Sequence, residues 1–175
     1  MLAALLLATA GCQKTDPRQQ PVQAQSPSAF MRWRSMIGHD IKADEWREFD
    51  AMLQEIRLRV TAEKQASGTE AVEAAMRSRI DGLTFLDAVA LGYEGRLQRL
   101  RPERQETLKA MRLNAEGAGQ LEGSKLADDM ERMRQAQVKR LALLDAQIEE
   151  AEKRLKELGK FVDVSDPGVT APQKK

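Results

Sequence analysis

A single histidine, His39, and a single cysteine, Cys12, leave this 175-residue chain short of the side chains on which most metal and nucleophile chemistry depends. One cysteine permits no internal disulfide and excludes a zinc site built on thiolates. One histidine permits no His cluster for a transition metal, and a serine nucleophile would need His39 as its base. No G-x-S-x-G, P-loop or G-x-G-x-x-G occurs, so the common signatures of nucleophile elbows and nucleotide-binding loops are missing. Aromatic residues make up only 4% of the chain and charged ones 31%, a balance typical of long helices rather than sheets. Neither sign of charge prevails: 28 Lys and Arg stand against 27 Asp and Glu, interleaved along the chain. A net charge of +1 gives no electrostatic reason to expect nucleic acid as a partner. The uncharged stretch from Met1 to Gly11 would span about 16 Å as a helix, against a hydrocarbon core of about 30 Å, so it does not cross a bilayer.

That stretch, MLAALLLATAG, has instead the apolar run and small-residue ending of a secretion signal, and Cys12 follows it at once. Thr9-Ala10-Gly11-Cys12 resembles the lipobox of bacterial lipoproteins. The resemblance implies that residues 1–11 are a signal peptide, that Cys12 is acylated and becomes the first mature residue, and that the protein is held to a membrane by its lipid. Gln13, rather than Asp, implies sorting to the outer membrane, facing the periplasm, under the Gram-negative rule. Thr9 replaces the usual leucine, and no Lys or Arg precedes the run, which points to a start upstream of Met1 or an atypical signal. The terminal Lys174-Lys175 is similar to that of small lipoproteins joined to peptidoglycan through a C-terminal lysine.

From Cys12 to Ala29 the chain is rich in Gln and Pro and poor in apolar residues, which predicts a disordered tether with a root-mean-square reach of roughly 20 to 25 Å. Residues 30–160 carry helical periodicity and are expected to form one helical domain. Trp46, Phe49, Leu53, Ile56 and Val60, widened by Met52, form one stripe and predict a helix over 43–66, with Glu45 and Glu48 in its acidic first turn. Ser67-Gly68-Thr69-Glu70 has the spacing of a capping box and predicts a short helix to about Ile80, stopped by Asp81-Gly82. Thr84 offers the next cap, and Leu86, Val89, Tyr93, Leu97 and Leu100 keep helical spacing through Gly92 and Gly95. Each of those glycines costs a helix about 1 kcal/mol relative to alanine, which close approach of another helix explains more readily than a bend or binding notch around Tyr93. Arg101-Pro102 predicts a junction or kink, and Gly117-Ala118-Gly119 a break.

Residues 124–158 contain neither Gly nor Pro and predict a helix of roughly 52 Å. Its seam runs through Ala127, Met130, Arg134, Gln137, Leu141, Leu144, Ile148, Ala151, Leu155 and Leu158 at alternating intervals of three and four. Leu141, Leu144, Ile148, Leu155 and Leu158 are the candidate interaction surface, for another envelope protein or for self-association. Gly159 ends the helix, and residues 161–175 read as a disordered tail. The expected fold is all-α, an elongated helical bundle with a long C-terminal coiled-coil-like helix.

The chain offers little chemistry beyond this. His39 with Asp40, Asp44 and Glu45 reads as a loop histidine beside an acidic helix start rather than a metal or acid/base site. The acids lie at helix starts or at salt-bridge spacing from a base, and no pair is singled out for hydrolysis. No catalytic residue, metal, cofactor or small-molecule substrate is expected. FMRWRSM reads either as a bundle cap through Phe30, Trp33 and Ile37 or as a basic-aromatic membrane contact through Arg32 and Arg34. The sequence thus points to a cell-envelope lipoprotein acting as a structural or protein-interaction module. The alternatives are a lipid-anchored cell-wall hydrolase using carboxylates and a cytosolic helical protein without lipid.

Overall fold

Helix-forming stripes separated by glycine stops dictate the architecture. In the computed structural model, which describes residues 16–63, 66–118 and 125–160, the protein is all-α. Its helices are α1 (Pro27–Ile37), α2 (Ala43–Ala62), α3 (Thr69–Ile80), α4 (Phe85–Ala118) and α5 (Lys125–Glu157), preceded by a 3-10 turn at Pro17–Gln19. The expected signal peptide, Cys12 and the 161–175 tail lie outside the described residues.

The core forms between α2 and the first half of α4. Phe49, Met52, Leu53, Ile56 and Val60 are buried on α2, as are Ala88, Val89, Tyr93, Leu97 and Leu100 on α4. Each large apolar side chain so buried contributes about 1.5–3 kcal/mol. Gly92 is where the two backbones meet: a Cβ built there would stand 2.4 Å from Met52 Cβ and 2.8 Å from its Cα and carbonyl oxygen. Close approach accounts for Gly92 as the sequence predicts, but does not require Gly95, where a Cβ would stand at an ordinary 3.6 Å from the Glu55 carbonyl oxygen.

Five of the scarce aromatics, Phe30, Trp33, Trp46, Phe49 and Phe85, gather at one end of this pair, with Phe49 and Phe85 stacked at 4.7 Å and the other neighbouring rings at 5.4 to 6.0 Å. Trp33 fills the middle of the cluster, with an Nε1–H that is buried and has no partner. Ser26 starts α1 by accepting from the Ala29 amide at 3.1 Å, with Pro27 at the first helical position.

Two caps match the sequence reading. Thr84 Oγ1 accepts from the Asp87 amide at 3.1 Å and donates to its carboxylate at 2.8 Å, starting α4. At the end of α5, Gly159 has φ 71, the Lys160 amide donates to Leu155 at 2.9 Å and the Gly159 amide to Lys156 at 3.0 Å, a Schellman motif.

Four expectations need correction. The 12–29 stretch is not a free tether from Asp16 onward. Val22 exchanges backbone hydrogen bonds with Leu83 and Gly82, the Ala24 amide donates to Asp81 Oδ1 at 2.7 Å, and both Val22 and Ala24 are buried. The reason is the alternation Val22-Gln23-Ala24-Gln25, a period of two that turns the apolar side chains inward against the α3–α4 turn. The capping box at Ser67 does not form: Gly68, at φ 85, is the N-cap of α3 and no side chain caps it. Helix α2 ends at Ala62 rather than Ala66. No junction falls at Pro102, which lies inside α4. Pro102 and Gln98, whose carbonyl loses its partner, both lie on the exposed side, and the flanking arginines Arg101 and Arg104 are tied to α5.

Candidate functional site

Helix α5 runs back antiparallel along α4, and polar pairs set its register. Arg101 pairs with Glu152 at 2.8 Å, Arg104 with Asp145 at 2.5 Å, and Arg140 with Glu103. Farther out, Asn114 donates to Gln137 Oε1 at 3.2 Å. Near the core two denser nodes tie the helices together. Glu48 accepts both a bidentate pair from Arg154, at 2.6 and 2.9 Å, and the Tyr93 hydroxyl at 3.0 Å, joining α2, α4 and α5. Burial pushes the Glu48 carboxyl up, but the hydrogen bonds from Arg154 and Tyr93 outweigh it and hold the group below its ordinary range. Burial and the Glu48 charge together push the Tyr93 phenol up to about 12. The second node is Glu55, only 7% exposed, which takes Arg96 at 3.1 Å and Arg99 at 2.8 Å across the α2–α4 seam. Every charged group of both nodes faces an opposite charge, so both nodes tie helices together.

The candidate interaction residues fall on the α4 side of α5. Leu144 and Leu155 are buried, Ile148 and Leu158 pack against the core, and Leu141 is half-buried. The seam is therefore spent largely within the chain and is not a free surface. What remains open is the arm beyond it. Among the described side chains, none from 101 to 116 or from 128 to 143 is buried, while Leu113 and Met133 are 60% and 52% exposed. In the sequence an apolar seam looks the same whether a neighbouring helix of the same chain or a partner fills it.

Cys12 lies outside the described residues. His39, Asp40 and Asp44 are exposed, and among the described residues no three His, Cys, Asp or Glu side chains come together to hold a metal. Of the FMRWRSM group, Phe30, Trp33 and Ile37 are buried as a bundle cap. Arg34 is committed to Asp50 at 2.6 Å, with its guanidinium 4.7 Å from the Trp46 ring centroid. Arg32 faces outward between the exposed Met31 and Met36. Among the described residues no helix is long and apolar enough to cross a membrane. Comparison with protein-family models, with curated proteins and with solved structures gives no match.

Proposed function

We propose that the chain is a lipid-anchored component of the bacterial cell envelope, sorted to the outer membrane, that works without catalysis by engaging another envelope protein, or a second copy of itself, through the α4–α5 arm. Thr9-Ala10-Gly11-Cys12 supports the anchor. The observation that carries the interaction half is the stretch of two paired helices in which no described side chain is buried. Helices bury an apolar stripe against a neighbour, and a pair alone leaves most of each surface wet. A third or fourth helix laid along the arm, in the manner of a coiled coil, would cover Leu113, Met133 and their neighbours.

Metabolic labelling with a fatty acid, followed by membrane fractionation, tests the anchor: label in the wild type and none in Cys12→Ala is the expected result. Equal label in both would remove the lipid from the account. Photo-crosslinking from Met133 in intact cells tests the arm, and a reagent at that site that never captures a protein would refute its role.

A further inference from the structure

We infer that the outer face of α1, made by Met31, Arg32 and Met36, rests on anionic lipid headgroups. The inference depends on the lipid-anchor reading of Cys12 and adds to it a second contact made by the protein itself. Helix α1 turns Phe30, Trp33 and Ile37 inward and leaves Met31 and Met36 outward, 63% and 60% exposed. Between them stands Arg32, which, unlike Arg34, makes no ion pair with a described residue. Two pliable thioethers flanking an outward guanidinium suit the boundary between headgroups and acyl chains, where the sulfur-bearing stems gain apolar contact and the cation meets phosphate.

The path of the chain puts this face near the anchor. Cys12 lies four residues before Asp16, the first described residue, and four Cα steps reach at most about 14 Å. Arg18 then touches Glu45 at 3.4 Å, and Arg34 of α1 touches Asp50 at 2.6 Å. Both contacts fall on the start of α2, five residues or about 7.5 Å of helix apart. A lipid on Cys12 therefore leaves α1 within reach of the headgroups, whereas the far end of α4 is roughly 50 Å of helix away from its start. The size of the face also selects the occupant. Three side chains on an eleven-residue helix fall well short of the roughly 800 Å² per partner of a stable protein interface, but are enough to supplement an acyl anchor.

The test uses the full acylated chain, in which the Cys12 sulfur is blocked, so that one engineered thiol takes a fluorophore: Ser35→Cys on the α1 face or Glu116→Cys on the arm, both exposed positions. Each is reconstituted in phosphatidylethanolamine vesicles, with or without phosphatidylglycerol, carrying a headgroup nitroxide. The expected result is strong quenching at position 35 and little at 116. In the phosphatidylglycerol vesicles Arg32→Gln should reduce the population in contact about fivefold, the equivalent of about 1 kcal/mol for one basic charge at an anionic surface, and should change nothing without phosphatidylglycerol. Vesicle-bound protein with equal quenching at both positions overturns the α1 contact and leaves the anchor standing. Protein that does not float with vesicles overturns the anchor and the contact with it. Energy transfer between copies labelled at 35, insensitive to phosphatidylglycerol, assigns the face to a second copy and likewise overturns the proposal.

Discussion

Two glycines three residues apart on α4 should respond to alanine with opposite sign. In a helix interior alanine is favoured over glycine by about 1 kcal/mol, so both substitutions begin with the same gain. At position 92 the new methyl would stand 2.4 Å from Met52 Cβ and 2.8 Å from Met52 Cα and carbonyl oxygen, atoms fixed to the α2 backbone that no rotamer change can move. Restoring an ordinary separation of about 3.5 Å requires the helices to part by about 1 Å, which loosens the packing around Phe49, Leu53 and Ile56. Overpacking of this kind costs about 1–3 kcal/mol or more, and the backbone-to-backbone contact puts Gly92→Ala at the upper end. We expect a net loss of about 2 kcal/mol, or roughly 4–8 °C in Tm. At position 95 the nearest atoms are Glu55 carbonyl oxygen at 3.6 Å and Arg59 Cδ at 3.8 Å, ordinary contact distances. Gly95→Ala should therefore keep most of its helix gain and raise Tm by roughly 2 °C. Urea titration followed by helical circular dichroism reads both, with unchanged m-values as the control for a preserved two-state transition. A Gly92→Ala variant as stable as the wild type, or two shifts of the same sign, would refute the close α2–α4 approach.

The Glu48 node makes a pH prediction. Because its carboxyl and that of Asp87, held down by Lys160 and Thr84, lie below their ordinary values in the folded chain, their stabilisation is present above the unfolded carboxylate pKa and is lost as pH falls through the folded one. Glu48→Gln should cost about 1–3 kcal/mol at neutral pH and flatten the acid limb of a stability-versus-pH curve; a variant with the wild-type slope contradicts the assignment. Glu55→Leu leaves Arg96 and Arg99 facing an apolar side chain and should lose about 3 kcal/mol in denaturant titration, while a loss under about 0.5 would show the node to be solvated. Val22→Asp should detach the 16–26 segment, and a tryptic cut after Arg18 should become many times faster while the helical signal changes little; an unchanged cleavage rate would mean that the segment is not held by Val22.

Helix stripes and stops were readable because both follow from local geometry. The period-3.6 pattern of Phe49, Leu53, Ile56 and Val60 needs no tertiary knowledge, nor do Gly82 and Gly159, whose φ of 79 and 71 favours glycine. Gly92 was readable for a different reason: an unfavourable residue inside a helix points to something close to it. That rule holds at Gly92 and fails at Gly95, where the nearest atom would be 3.6 Å from a Cβ. Composition misled at Val22 and Ala24, where glutamines and prolines hid a two-residue alternation and only the α3–α4 turn, nearly sixty residues on, completes the hydrogen bonds. The Glu48–Tyr93–Arg154 node was not readable at all, since its members come from three helices and Arg154 is 106 positions from Glu48.

The same distinction bears on the arm. Near the core, Leu144, Ala151 and Leu155 are buried, so that half of α5 is fixed by burial. Farther out, Arg134, in the expected seam, is exposed and pairs with Glu131 of its own helix, while Gln137 answers Asn114 across to α4. Exposed ion pairs of this sort are worth about 0–1 kcal/mol each, and polar seam positions specify register better than they supply affinity. The arm's two helices are thus aligned by polar contacts but not covered by apolar ones. On the proposed reading, the polar groups there keep the pair from closing on itself and leave Leu113 and Met133, both exposed, for a helix supplied from outside.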